Sequence, residues 1–453
     1  MSQHSALPYK KLPNMWNYLY PFIQEGPEPV ETVRQFLNSA RTPLPGTKSL
    51  YVHIPFCDTI CTFCPFIRST NYQDKLQPYV DSLLKELKAI ASTPYIQQFK
   101  LDAIYVGGGT PSVLSPKMIE DLCTTIQENF TLKDDIEWSF EVEAKSASED
   151  KLKAMAANGV NRISFGVQTF NPYYRKLFNL TASLDEIKQT RELAEKYFKA
   201  YNMDLLYQLP GQTIEQLHED LESVRELGTT SVDVYPLEYL VTSKGFLNMI
   251  KDGRVPAPPK ADDKVLQHQF VNSYLLNHGY EQTHIYTFAK KDAAYKDFKF
   301  GATIYGSYED EYIGCGQAAA SYLSGISHSN SVRTDEYIRA VENGTLPVMR
   351  AKEYDAKEKG LIYFPKHMKV SLEYLSQLDL PAEYWEKIEK FEKMGLVIKE
   401  DGLLKLTELG KIWYMHVMID LLPEDQKKTY DRYVEYTQKD RDFYENTELA
   451  VIQ

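Results

Sequence analysis

Three cysteines on one short stretch carry the clearest chemistry in this sequence. Cys57, Cys61 and Cys64 lie within YVHIPFCDTICTFCPF, residues 51–66, at the spacing C-x3-C-x2-C. Thiolates are soft ligands that hold iron–sulfur clusters, and a four-iron cluster takes four of them when the protein ligates every iron. Three on one loop leave one iron without a protein ligand, and a small molecule can bind and be reduced there.

Two other uses of clustered cysteines fit the sequence less well. A structural zinc site usually takes four ligands in two pairs, and no second C-x2-C or H-x3-H follows. Residues 1–20 carry no basic-then-apolar secretory pattern, which disfavours disulfides and predicts a cytoplasmic protein. The remaining cysteines are expected to be structural: Cys123 as core within a helix, and Cys315 as backbone packing between two glycines.

A glycine turn follows one unit later. Gly107-Gly108-Gly109-Thr110-Pro111 comes directly after an apolar run. Glycine lets backbone approach a ligand without a Cβ clash, and free N–H groups can bind a carboxylate. Such a turn is weak evidence alone, but its place just after the cysteine motif makes it specific.

The elements that must position these motifs alternate between strand and helix. Strand-like runs occur at 49–54, 102–106, 136–143, 161–166, 199–207 and 231–237, and amphipathic segments lie near 74–92, 117–129, 148–157, 184–196 and 213–227. This rhythm is typical of βα units around a parallel sheet. Six units predict an α/β fold with a partial, open (β/α)6 barrel, and all motifs then fall on its carboxyl-terminal face.

Four regions are predicted along the chain: an amino-terminal extension or lid at 1–48, the barrel at 49–240, a barrel-closing, substrate-side region at 241–345, and a small domain at 346–453. In the last region, WEKIEKFEKMGLVIKEDGLLKLTELGKIWY reads as helix, hairpin with its turn at Asp401-Gly402, and helix. This order resembles a winged helix.

Charge and hydropathy exclude two classes of function. The net charge of −12 argues against nucleic acid as the main partner, because phosphate binding needs a basic face. No apolar run approaches the roughly 18 residues that span a bilayer. The winged-helix region is therefore expected to cover a substrate rather than bind DNA.

Taken in order, the motifs resemble one family. YVHIPFC, GGGTP, FEVEA, SFGVQTFN and DLLYQLPGQT occur at spacings similar to those of the oxygen-independent coproporphyrinogen dehydrogenase-like family of radical S-adenosylmethionine (SAM) proteins. The resemblance covers roughly residues 49–330 and continues more weakly to the carboxyl terminus. It implies a [4Fe–4S] cluster held by the three cysteines, with SAM on the open iron.

The resemblance also implies roles for particular residues. Tyr51 and Phe63 would pack on the adenosyl group, and a set of polar and glycine residues would bind the rest of SAM: Gly108, Gly109, Thr110, Glu141, Gln168 and Asp204. The sequence departs from the family at Leu180, twelve residues after Gln168, where the dehydrogenase carries an arginine that helps to hold SAM. Carboxylate anchoring from this loop is thus in doubt.

The branch of the family sets the expected substrate. Phe66 replaces a further cysteine of the dehydrogenase, and its GPRYTSYP-type arm is absent, which disfavours porphyrinogen decarboxylation. The haem chaperones begin almost at the cysteine motif, unlike this chain. Two branches remain: class C methyltransferases acting on the menaquinone ring, which the sequence favours, and the anaerobic haem-degrading methyltransferases resembling anaerobilin synthase. His278, His284 and His328 are the histidines that a haem site would use.

The methylating branches imply two SAM molecules. One yields a 5′-deoxyadenosyl radical, which takes hydrogen from the methyl group of the second, and the methylene radical adds to an sp2 ring carbon. Glu143, Glu238 and Tyr239 are the candidates for the final proton step. Expected partners are a quinone or tetrapyrrole substrate, an electron donor such as flavodoxin or ferredoxin, and the membrane surface if the substrate is a quinone.

Overall fold

A long mixed sheet forms the centre of the protein. The computed structural model describes residues 8–9, 17–23, 26–64, 69–70, 72–239 and 244–438. Its strands are β1 (Lys48–Ile54), β2 (Leu101–Gly108), β3 (Leu132–Val142), β4 (Arg162–Gln168), β5 (Ala200–Tyr207), β6 (Ser231–Pro236), β7 (Tyr280–His284), β8 (Thr287–Lys290), β9 (Glu311–Cys315), β10 (Ala320–Leu323), β11 (Ile326–Asn330), β12 (Val348–Glu353), β13 (Lys369–Ser371), β14 (Val397–Glu400) and β15 (Leu403–Leu406).

Helices follow most of the strands. They are α1 (Pro29–Leu37), α2 (Leu76–Ala91), α3 (Pro116–Asn129), α4 (Glu149–Ala157), α5 (Pro172–Leu177), α6 (Leu184–Tyr197), α7 (Ile214–Leu227), α8 (Lys244–Lys251), α9 (Ala261–Asn277), α10 (Lys299–Ile304), α11 (Thr334–Glu342), α12 (Lys359–His367), α13 (Leu372–Gln377), α14 (Ala382–Lys393), α15 (Glu408–Ile412), α16 (Tyr414–Leu421) and α17 (Glu424–Gln438). Ser183 and Thr213 form capping boxes at the starts of α6 and α7, which satisfy backbone N–H groups in the first turn of each helix.

The parallel part of the sheet confirms the α/β radical SAM fold. Within the described residues, twelve strands pair in the order β12-β11-β10-β9-β1-β2-β3-β4-β5-β6-β8-β7. Strands β1 to β6 are parallel neighbours in sequence order, each joined to the next through a helix. The six predicted strands and five helices all occur, with ends shifted by a few residues. The carboxyl ends of the parallel strands meet at one edge, where such sheets place their sites.

Later segments extend both edges of this sheet. Strand β9 pairs in parallel with β1, and β10 to β12 continue from it antiparallel. At the other edge, the β7–β8 hairpin joins β6. The main sheet therefore extends to Glu353, past the predicted boundary at 345. The division of the chain into four regions stays a prediction.

The carboxyl-terminal segment has its own core and its own small sheet, in the order β13-β15-β14. The predicted helix, hairpin and helix are confirmed as α14, β14–β15 and α15, with Asp401 and Gly402 both at positive φ in the turn. Tyr18 and Tyr20 of the amino-terminal extension pack into this core. No helix in the described part of the chain combines the length and the apolar character that crossing a bilayer requires.

Candidate active site

The cysteine loop leaves β1 and is held against the segment that follows α5. The N–H of Cys57 donates to the carbonyl of Ser69 at 3.1 Å, and the N–H of Thr62 donates to the carbonyl of Phe178 at 3.2 Å. The Asn179 amide donates to the carbonyl of Ile60 at 2.9 Å. These bonds fix the loop at the carboxyl end of β1, so that its cysteines face the edge where the strands end.

The glycine turn packs directly under this loop. The N–H of Gly109 donates to the carbonyl of Ile54 and that of Thr110 to the carbonyl of Phe56, both at 2.7 Å. The N–H of Gly108 donates to the Glu141 carboxylate at 3.0 Å. The N–H groups of Gly108, Gly109 and Thr110 thus all donate within the protein, one of them to a carboxylate, and binding of the methionyl part of SAM by this turn stays a prediction.

The glycine turn approaches the cysteine loop too closely for any larger residue at Gly109. A Cβ at Gly109 would lie 2.7 Å from the Phe56 carbonyl oxygen and 3.0 Å from Cys57 Sγ. Real Cβ atoms do not approach backbone oxygens that closely, so only glycine lets the two segments meet. The turn thus packs directly against the cysteine loop and helps to fix its position.

A cavity of about 210 Å³ opens between these two segments and the strand ends; we call it the cluster cavity. Its walls contain the three cysteines and most of the predicted SAM contacts: Cys57, Cys61, Cys64, Phe63, Gly108, Gly109, Thr110, Glu141, Gln168 and Asp204. No group of three or more His, Cys, Asp or Glu side chains among the described residues is arranged to hold a metal ion. Three soft thiols on the rim of one cavity nevertheless form the donor set that suits an iron–sulfur cluster, so the cysteines fit that cofactor by their chemistry.

A second cavity, of about 330 Å³, adjoins the first; we call it the aromatic cavity. The two share Phe63, Glu141, Gln168 and Asp204. Aromatic rings from distant segments line it: Tyr51, Tyr105, Tyr235, Tyr286, Phe298, Phe300 and Tyr305. The rings of Tyr105 and Phe300 stack with centroids 4.7 Å apart and planes 15° apart. Flat apolar walls of this kind suit a planar ring ligand.

Buried carboxylates stand where the cavities meet. Glu141 accepts from the Tyr105 hydroxyl at 2.6 Å and from Gly108 N–H, yet burial raises its pKa. Asp204 and Asp233 are register partners on β5 and β6, and the Asn202 amide donates to both, at 2.7 and 3.0 Å. Burial, the charge of Asp233 and that of Glu141 raise the pKa of Asp204 well above its usual range. Like charges this close disfavour ionisation of both.

Three basic groups line the aromatic cavity. Arg162, at the start of β4, lies with its guanidinium 4.4 Å from the Phe298 ring centre. Lys366, near the end of α12, lies 4.9 to 5.2 Å from the ring centres of Tyr286, Tyr305 and Tyr414. Burial lowers the pKa of this lysine well below its ordinary value, while Glu238 opposes the shift. His284 completes the group.

An irregular backbone sets the direction of the Gln168 side chain, which is one of the predicted SAM contacts. Gln168 has φ +68°, a left-handed value, and the β4–β5 register shifts between Gly166 and Gln168. A bulge of this kind redirects a side chain at the end of a strand, and Gln168 lines both cavities. A Cβ at Gly166 would lie 2.4 Å from the Gln168 amide nitrogen, so a larger residue there would displace the Gln168 side chain.

The three residues predicted to transfer a proton lie in three different parts of the protein. Glu143 lines the cluster cavity, and burial raises its pKa. Glu238 lines the aromatic cavity. Tyr239 lines neither; its hydroxyl donates to the carbonyl of Gln208 at 2.9 Å within a separate apolar cluster. The described contacts thus give the proton role of Tyr239 no support.

Leu180 does lie in the cluster cavity, where the family resemblance places an arginine. Arg175 is the cation among the described lining residues of that cavity, and it donates to the carbonyls of Val167, Thr169 and Ala182. This guanidinium braces the loop and does not replace the missing arginine. The doubt about carboxylate anchoring from this loop therefore stands.

Sequence reasoning missed several residues of the aromatic cavity, chiefly Arg162, Asp233, Phe298, Phe300 and Lys366. Asp233 was recoverable, since it holds on the predicted sixth strand the position that Asp204 holds on the fifth. Lys366 carries no such signal, because only tertiary packing brings α12 beside β7.

Comparison with known proteins agrees with this geometry. Residues 51–224 match the model of the radical SAM superfamily. The chain is 33% identical over 370 residues to a haem chaperone, HemW, of Lactococcus lactis, covering 80% of this chain and 94% of the relative. It is 26% identical to the anaerobilin synthase of Escherichia coli O157:H7, covering 86% of this chain and 87% of that one.

A solved structure extends the likeness to the whole fold. Coproporphyrinogen III oxidase (HemN) of Escherichia coli superposes with a TM-score of 0.74 at 25% identity, covering 91% of this chain and 96% of the oxidase. Fold and cysteine site together define a radical SAM protein. Within that superfamily, the chain belongs to the HemN-like family, with coproporphyrinogen oxidases, HemW and anaerobilin synthase among its relatives.

Proposed function

We propose that this protein is a radical SAM enzyme that methylates and opens a haem-like tetrapyrrole, as expected for the anaerobic haem-degrading branch. The cluster cavity would hold the iron–sulfur cluster on Cys57, Cys61 and Cys64, which when bound supplies the electron that cleaves SAM. Glu141, Gln168 and Asp204 would orient SAM, since they line both cavities and face the ring substrate as well.

One observation carries the choice of substrate. The aromatic cavity combines flat ring walls with buried Lys366, buried Arg162 and an imidazole. A tetrapyrrole offers a planar macrocycle, carboxylates for the cations and, when metallated, an iron for the imidazole. A naphthoquinone is planar but neutral, and it offers no carboxylate to these cations and no metal to the imidazole. The menaquinone ring favoured from the sequence also gains no support from the relatives, whose names refer to haem, anaerobilin and coproporphyrinogen.

The side chains would perform three tasks in this reaction. Stacked rings such as Tyr105 and Phe300 would hold the macrocycle flat and exclude water. Arg162 and Lys366 would neutralise its carboxylates at the side away from the cysteines. The pair Asp204–Asp233, in which burial raises the pKa of both carboxyls, would be placed to hold the proton released when the ring is substituted. A donor such as flavodoxin or ferredoxin would supply the reducing electron.

The test is substrate-dependent cleavage of SAM. Anaerobically purified protein would be incubated with SAM, dithionite and either haem or a naphthoquinone lacking the ring methyl. We expect 5′-deoxyadenosine to accumulate with loss of haem, and no stimulation by the naphthoquinone. Stimulation by the naphthoquinone alone would contradict the proposal.

A second candidate is haem carriage, which the 33% identity to a haem chaperone favours. A carrier would bind haem at the same cavity without consuming SAM. The incubation above separates the two, because a carrier leaves both haem and SAM intact. Retained haem without 5′-deoxyadenosine would decide for the carrier.

A further inference from the structure

Three histidines were predicted as candidate haem contacts, and the structure places one of them, His284, in the aromatic cavity. His284, the last residue of β7, is 7% exposed and lines that cavity. His278 ends α9, where its Nδ1 lies 2.7 Å from the carbonyl of Tyr274. His328 is buried within β11 and lines neither cavity.

Two segments hold the His284 ring in place. The N–H of Ile285 donates to the carbonyl of Lys366 at 2.9 Å, which ties the β7–β8 turn to α12. His367, next on that helix, contacts His284 edge to face at 4.9 Å and donates from Nε2 to the carbonyl of Tyr305 at 2.9 Å. The imidazole of His284 is therefore fixed before any ligand arrives.

One nitrogen of this imidazole lacks a hydrogen-bond partner where one is expected. Its Nδ1 is buried with no partner among the described residues, and buried polar atoms are normally satisfied. Other polar groups of the cavity are already engaged: the Tyr51 hydroxyl lies 2.8 Å from His53 Nδ1, and the Tyr105 hydroxyl donates to Glu141. Burial, together with the charges of His367, Lys366 and Arg162, lowers the pKa of His284 well below its ordinary value.

A neutral, buried imidazole on the wall of an aromatic-lined cavity is suited to metal ligation. Neutral imidazole is the commonest protein ligand of metals and a usual axial ligand of haem iron. Building on the proposed function, we infer that His284 ligates the iron of a metallated tetrapyrrole bound in the aromatic cavity. The substrate class is thereby narrowed to iron tetrapyrroles, and the metal fixes the ring's position relative to the SAM side of the site.

The experiment measures binding, not turnover. Full-length protein with its cluster reconstituted anaerobically would be titrated with iron protoporphyrin and, separately, with metal-free protoporphyrin, for wild type, His284→Ala and the matched control His278→Ala. Losing even a supporting partner of a metal ligand costs roughly 10–100-fold in metal affinity, so we expect His284→Ala to bind iron protoporphyrin at least tenfold more weakly. Its affinity for the metal-free ring should be unchanged.

The spectrum supplies a second readout. Wild type and His278→Ala should show the visible and EPR features of histidine-ligated haem, and added imidazole should restore them to His284→Gly. Iron and sulfide content of each variant, measured before titration, reports whether it has folded around its cluster.

Each outcome separates the inference from the proposed function. Equal affinity and spectrum in His284→Ala and wild type would overturn the inference. If wild type bound metal-free and iron rings equally well, the inference would fall while the tetrapyrrole proposal stood. Binding of neither ring would overturn both.

Discussion

The two cavities share four residues but are built in opposite ways. The cluster cavity comes from short stretches that each follow a parallel strand: the cysteine loop after β1, the glycine turn after β2 and the ends of β3, β4 and β5. The aromatic cavity takes Asn17 from the amino-terminal extension, His284 from the β7–β8 hairpin and Lys366 from α12. In the proposed function, local motifs would hold the cofactors, whereas the residues that would select the substrate come together only through tertiary packing.

This difference explains how one fold can serve several reactions. The strand ends that handle SAM are fixed by the parallel sheet, while the later segments can change the shape and charge of the second cavity. Changes on the cluster side should therefore abolish chemistry, and changes on the aromatic side should alter which ring is used.

The largest effect is expected from Cys61→Ala. Removing one of three thiolates leaves an incomplete donor set for the cluster, so iron content should fall to background and SAM cleavage with it. Cys123→Ala is the matched control, because that thiol is buried in α3 outside both cavities. Iron per chain, measured after anaerobic reconstitution, checks the prediction. Wild-type iron in Cys61→Ala would break the assignment of the cluster cavity.

Gly109→Ala should act on the same cavity through sterics alone. The new Cβ would meet the Phe56 carbonyl at 2.7 Å and Cys57 Sγ at 3.0 Å, forcing the cysteine loop away. Overpacking of this kind costs about 1–3 kcal/mol, which corresponds to roughly 5- to 160-fold weaker binding of the cluster. Gly245→Ala in α8, where no atom lies within 4 Å of the new Cβ, should retain full iron. Equal iron in both variants would show that the turn does not support the loop.

Asn17→Ala should weaken binding of the tetrapyrrole and leave binding of SAM unchanged. Its amide donates to the Tyr305 hydroxyl at 2.9 Å, and a neutral hydrogen bond contributes about 1 kcal/mol. The KM for the tetrapyrrole should rise about fivefold, with the KM for SAM unchanged. Asn38→Ala, at the exposed end of α1, is the control. A parallel rise in both KM values would erase the distinction between the two sides.

The smallest effect on the site is expected from a buried carboxylate outside both cavities. Glu86 on α2 accepts from Gly316 N–H, Asn330 and Tyr337, and burial raises its pKa to about 7. Because the folded pKa exceeds the unfolded value of 4.5, the native state holds an extra proton between the two. The free energy of unfolding therefore falls as pH rises from 4.5 to 7, by about 3 kcal/mol at most.

Glu86→Gln should remove this slope while SAM cleavage stays at the wild-type level. Urea unfolding at pH 5 and pH 7 measures it, with Asp335→Asn as the control, since its exposed pair with Lys75 should matter little. Identical slopes in wild type and Glu86→Gln would show that this carboxyl does not titrate as described.

The sequence predicted the part of the site that strand ends determine. Cys57 was identified from the cysteine spacing, and the family resemblance implied Glu141, Gln168 and Asp204, which lie near the ends of predicted strands. The hydrogen bonds from the glycine turn to Ile54 and Phe56 could not be predicted, since they depend on how two loops meet.

Most residues of the aromatic cavity could not be predicted from the sequence. Lys366 and His284 are 82 residues apart and touch the same cavity only because α12 packs on the β7–β8 turn. Tyr239 looked suitable by its position after β6, but its hydroxyl is turned toward Gln208. Periodicity indicates the type of an element, not which later segment will lie over it.

The central claim is that the two cavities are halves of one active site, with SAM on one side and a tetrapyrrole on the other. It is tested most directly by incubating the protein anaerobically with dithionite, haem and SAM carrying a trideuterated methyl group. The account predicts deuterium both in 5′-deoxyadenosine and in a methylated, opened tetrapyrrole detected by mass spectrometry. Deuterium-free tetrapyrrole, with SAM left intact, would contradict it.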